Sequence, residues 1–154
     1  MSNSFLIAGG CVGVTGVALG AFGVHGLSDH LSSAALSTWH TASMYHLLHA
    51  PVLVAIGLYF VFTRRRRRKL ASRSAARSTD GPNAGTDLRL LRQTRAMRFA
   101  GITLVLGVLL FSGSLYLLAL GGPRVLGPVT PLGGLALLVG WSALLYAGVV
   151  NTDD

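Results

Sequence analysis

Charge is what this sequence has least of. Only 12% of its 154 residues are Asp, Glu, Lys or Arg, while 51% are hydrophobic. Charged residues make up about a quarter of an ordinary soluble domain. There is too little polar surface here to coat a water-soluble particle, so the solvent for the apolar surface is expected to be lipid. Cysteine is nearly absent too. A single Cys11 excludes an intramolecular disulfide and any cysteine-based metal cluster. In its Gly-rich apolar run it reads as a small buried residue. The net charge of +8 does not describe a basic fold, because twelve of the thirteen Lys and Arg lie between residues 64 and 98 and the other is Arg124.

Four apolar runs have no Asp, Glu, Lys or Arg at all: residues 5–24, 41–62, 99–120 and 132–150. Each is close to the ~20 residues a helix needs to cross a ~30 Å hydrocarbon core. A charge at a helix centre costs roughly 2.5–3.5 kcal/mol on insertion scales, so the absence is informative. Barrel strands need only about 9–11 residues, and backbone in lipid must satisfy its own hydrogen bonds. The fold class is therefore all-α: a polytopic membrane protein with four transmembrane helices in an antiparallel bundle. The first run lacks a positively charged leader and is longer than a signal-peptide core of about 7–15 residues, so it is expected to be retained. Ala18-Leu19-Gly20 resembles a cleavage site only loosely.

The chain divides into a hairpin over 1–62, a basic connection over 63–98 and a second hairpin over 99–154. The middle connection carries twelve Lys and Arg, the last outer connection one, and the first none. By the positive-inside rule, residues 63–98 and both termini are expected in the cytoplasm. Within the basic connection, Arg64, Arg65, Arg66, Arg67, Arg68 and Lys69 form an unbroken cationic run. Residues 72–86 are rich in Ser, Ala, Gly and Asn and are expected to be disordered. Residues 87–98 read as a short helix leading into the third span. The cationic run is expected to set topology, with anionic lipid headgroups as a partner. Nucleic acid is not expected, because the interleaved aromatics of a stacking platform are missing.

Gly9, Gly13, Gly16, Gly20 and Gly23 recur at intervals of four and three residues, which places them within an arc of roughly 80° on one helix. Such a stripe lets a neighbouring helix approach closely. The neighbour could come from this chain or from another copy. The five histidines all fall in the first third of the chain: His25, His30, His40, His46 and His49. His46 and His49 lie three apart on one helix. Ionisable groups inside a membrane tend to face a bundle interior or a wet cavity. Neutral histidines bonded to neighbouring helices are the main reading. A metal or haem site would have to be built from His25, Asp29, His30, His46 and His49, since the last two spans offer no His, Cys, Asp or Glu. Pro51 deprives the carbonyl of Leu47 of its helical partner, and a kink is expected there. Ser112, Ser114 and Tyr116 form a small polar patch at the end of the third span, suited to interhelical hydrogen bonding. No acid or base adjoins either serine in sequence, which disfavours a nucleophile. Thr130 is expected to cap the last helix, and Trp39 to anchor at the membrane interface.

Four blocks together resemble a known family. They are Gly20-Ala21-Phe22-Gly23-Val24-His25-Gly26-Leu27, then Thr41-Ala42-Ser43-Met44-Tyr45-His46-Leu47-Leu48-His49-Ala50, then Phe111-Ser112-Gly113-Ser114-Leu115-Tyr116, then Thr130-Pro131-Leu132-Gly133-Gly134 with Gly140-Trp141. Their order and spacing are similar to the domain-of-unknown-function 423 family, which also includes eukaryotic small transmembrane proteins. The resemblance implies a small four-helix protein, in bacteria of the cytoplasmic membrane, and implies no activity or cofactor. It marks His25, Tyr45, His46 and His49 as positions to test. The Arg-rich connection looks longer than the family's usual one.

The candidate polar cluster is thus His25, Tyr45, His46, His49, Ser112 and Ser114. The expected function is non-enzymatic: a packing or accessory subunit within a homo-oligomer or a larger membrane complex. A small transporter or channel with a His-lined polar site is the alternative, and metal or haem binding through the helix-two histidines a further one.

Overall fold

A computed structural model describes residues 3–76 and 84–150, with backbone alone at 70, 71, 73–76 and 84–87. Four helices follow in order: α1 (Ser4–His25), α2 (Ser33–Ala76), α3 (Ala84–Ala119) and α4 (Val129–Val149). A short 3-10 turn, Arg124–Leu126, precedes α4. All four are long and apolar enough to cross a membrane. Large apolar side chains stand exposed on each of them, among them Val14, Leu48, Leu109 and Leu145. In water such surfaces would associate; in lipid they are the expected exterior.

The helices are longer than the uncharged runs. Residues 63–76 continue α2, and residues 84–98 open α3. Where a long loop is expected from composition, helix therefore replaces most of it. Arg, Lys, Ala and Leu are good helix formers, and a helix already nucleated in the apolar span propagates into them at little cost. At 1.5 Å per residue, α2 projects about 20 Å past its apolar run. Residues 77–83, the centre of the stretch expected to be disordered, lie outside the described residues.

α2 also begins early, at Ser33 rather than at Thr41. The Oγ of Ser32 accepts the backbone N–H of Ala35 at 3.2 Å, and the Ser32 carbonyl accepts that of Leu36 at 2.9 Å. Ser32 is thus the N-cap. α2 then continues through Pro51 to Ala76. α3 stops at Gly121, which adopts φ +80°. Gly121 N–H bonds Leu118 O at 3.0 Å, and Gly122 N–H bonds Leu117 O at 2.8 Å. This is a Schellman stop, and glycine accommodates its left-handed residue without a Cβ clash. α4 begins at Val129 with Pro128 at the cap position. Thr130 therefore lies inside the first turn, and its hydroxyl serves another purpose described below.

Glycines set the helix spacing. A Cβ on Gly9 would lie 2.7 Å from Val54 Cγ2, one on Gly16 2.9 Å from Leu47 Cδ2, and one on Gly23 2.5 Å from Trp39 Cδ1. The stripe of α1 is thus spent on α2 of the same chain. Gly13 and Gly20 face Ala50 and Ser43 of α2 along the same seam. The α3–α4 seam uses the same device, with Gly107 against Leu137 and Gly140 against Leu104. Gly133 sits on the backbone of Phe111.

The buried core has two parts. Leu27, Trp39, Ala42, Tyr116 and Ala119 form one cluster; Leu53, Ile56, Leu104, Val108 and Leu137 form the other, nearer the basic end. Trp39 is only 2% exposed, with its Nε1–H donated to Leu19 O at 2.9 Å and its ring 4.6 Å from that of Tyr116. It is a core residue and not an interfacial anchor, because Gly23 opens the space it fills. Cys11 is exposed rather than buried, on the side of α1 turned away from α2.

Candidate functional site: a histidine pair that joins the helices

Between the two apolar clusters, α2 carries His46 and His49, one helical turn apart. The ring of His49 is 1% exposed. Its Nδ1 lies 2.6 Å from the Tyr45 carbonyl, and its Nε2 receives the Trp141 indole N–H at 3.2 Å. A carbonyl can only accept and an indole N–H can only donate. These partners assign a neutral ring with the proton on Nδ1. Both nitrogens of His49 are occupied, and α2 is tied to α4.

His46 links the other two helices. Its Nε2 stands 3.1 Å from Thr15 Oγ1 of α1, and its Nδ1 stands 3.5 Å from the Tyr116 hydroxyl of α3. Thr15 Oγ1 donates to the Cys11 carbonyl at 2.7 Å, so it accepts from His46. The chain then reads Tyr116 O–H to His46 Nδ1, His46 Nε2–H to Thr15, and Thr15 to Cys11 O. The two histidines together engage all four helices. Sequence alone does not single out Thr15 or Trp141 as their partners.

The rest of the predicted cluster divides. Tyr45 packs its ring 4.7 Å from that of Phe111 and stacks at 6.5 Å on His49. Ser114 bonds Thr130 across the α3–α4 seam at 2.8 Å, and that is the use to which Thr130 is put. Ser112 is 1% exposed, and its Oγ has no hydrogen-bond partner among the described residues. His25 stands apart. It is exposed at the end of α1, about two and a half turns from Gly16, which faces His46. His30 and His40 are exposed as well. Among the described residues no three His, Cys, Asp or Glu side chains converge as metal ligands.

The family profile described as "Protein of unknown function (DUF423)" matches residues 19–81 and 84–134. The chain belongs to the DUF423 family. Its DUF423 relatives include a UPF0382 membrane protein of Staphylococcus epidermidis, 34% identical over 143 residues and covering 93% of each chain. The UPF0382 membrane protein YwdK of Bacillus subtilis is 33% identical over 145 residues, covering 94% of this chain and 95% of its own. A UPF0382 membrane protein of Schizosaccharomyces pombe is 30% identical over 139 residues, covering 86% of this chain and 91% of its own. No solved structure matches the chain. The all-helical membrane reading stands: four long apolar helices in a family whose relatives are called membrane proteins. The matched region contains both histidines and Tyr116.

Proposed function

We propose that this DUF423 protein is a non-enzymatic packing or accessory subunit of the membrane, with residues 63–98 and both termini on the cytoplasmic side. The carrying observation is that every ring nitrogen of the two intramembrane histidines faces a partner on the same chain. A metal or haem ligand needs a ring nitrogen to offer, and a nucleophilic serine needs a base beside it. Ser112 has no hydrogen-bond partner among the described residues. The polar groups also step sideways from helix to helix. A route across a bilayer would need them spread along ~30 Å. Below the histidines, Leu53, Ile56, Leu104, Val108 and Leu137 close the interior with apolar side chains. These features favour the packing role over a His-lined transporter.

An accessory subunit needs surface for a neighbour. The broad seams run α1–α2, α2–α3 and α3–α4, which leaves α1 and α4 at the flanks with large lipid-facing surfaces such as Val14, Val17, Leu138 and Leu145. Crosslinking in native membranes followed by mild-detergent purification tests the proposal. Specific adducts to a second copy or to another membrane protein are expected. Recovery of isolated monomers alone overturns it.

A further inference from the structure

A cleft of about 640 Å³ opens at the basic end, where α1, α2 and α3 meet. Its floor is apolar: Phe5 and Phe60, stacked at 5.7 Å, with Ile102, Val105 and Leu106 beside them. Its rim is cationic, with Arg64, Arg67, Arg68 and Arg98. The arrangement follows from helical periodicity. Phe60, Arg64, Arg67 and Arg68 share one face of α2, and Thr94, Arg98, Ile102 and Val105 one face of α3. Each face passes from guanidinium to hydrocarbon in the same direction. The first turn of α1, including Ser4, borders the same cleft, and the N-terminal end of a helix adds partial positive charge there.

We propose that this cleft binds one anionic phospholipid. The phosphate sits among Arg67, Arg68 and Arg98, and an acyl chain lies over Ile102 and Leu106. The occupant is chosen by chemistry. Guanidinium forks match phosphate oxygens bidentately. Asp29, the acidic residue whose side chain is described, is in the turn at the end opposite Arg67, Arg68 and Arg98. Ile102 and Leu106 are 45% and 50% exposed, so a chain resting on them runs on into the bilayer. A soluble phosphate would leave the apolar floor uncovered. The inference is independent of the accessory role, because it uses none of the histidine contacts.

Native mass spectrometry of the full chain, with equimolar phosphatidylglycerol and phosphatidylcholine, tests the site. A preference for phosphatidylglycerol of about tenfold or more is expected from several basic side chains acting together. The triple variant Arg67→Gln, Arg68→Gln, Arg98→Gln should reduce it to within about twofold, and a triple with Arg65→Gln, Arg66→Gln, Lys69→Gln should retain it. The second triple removes the same charge from positions outside the cleft, so equal loss in both would mean diffuse attraction and overturn the site. Displacement of the lipid by inorganic phosphate would overturn the amphiphilic occupant. Ile102→Trp fills the floor without altering charge and should also weaken binding. If the cleft triple fails to fold, unchanged phosphatidylglycerol occupancy in Ile102→Trp overturns the proposal on its own.

Discussion

His49 is held at both ring nitrogens, so its replacement breaks two bonds and strands one donor. His49→Ala is expected to destabilise the protein by about 2–5 kcal/mol, since the ring is buried and its loss leaves a cavity. The specific bond to Trp141 is worth less. A double-mutant cycle with His49→Ala and Trp141→Phe should return a coupling of about 0.6 kcal/mol, and no more than about 1.7, as for other interhelical bonds in membranes. Unfolding in mixed micelles reads both values. Ser112 supplies the contrast. Its hydroxyl has no hydrogen-bond partner among the described residues, so Ser112→Ala should leave stability unchanged or slightly raised under the same assay. A serine at work in chemistry or in a polar network would not behave this way.

At the scale of the elements, the α1–α2 seam depends on missing side chains. A Cβ on Gly9 would meet Val54 N at 2.8 Å, whereas one on Gly10 meets nothing within 4 Å. Gly9→Ala is therefore expected to cost about 1–3 kcal/mol through overpacking, and Gly10→Ala very little. The stripe was legible from its spacing, but its partner was not, because spacing shows which face is smooth and not what lies against it. Helix ends were legible only in part. Apolarity locates the membrane spans, whereas a helix ends at its caps. Ser32-Ser33-Ala34-Ala35 carries a capping signal that the hydropathy of α2 does not reveal. Ser32→Ala should speed backbone hydrogen exchange at residues 33–36, corresponding to about 1 kcal/mol. Unchanged exchange there would show that the cap does not hold this end.

For the whole molecule, the orientation can be tested with the protein's single cysteine removed. In a Cys11→Ser background, Ser28→Cys is expected to react with an impermeant maleimide in intact cells, and Ser72→Cys only after permeabilisation; the reverse pattern would invert the proposed topology. The amino-acid sequence by itself determines that four segments are helical and that their solvent is lipid, since composition and length decide what a hydrocarbon core tolerates. It does not determine how each helix is turned. Every face of these helices is nearly equally apolar, so no polar face points outward to mark a rotation. That is decided by the glycine seams, which rotate the helices until backbone meets backbone. The same rotation carries His46 and His49 inward while His25 remains outside, buries Trp39, and brings Arg98 of α3 beside Arg67 and Arg68 of α2.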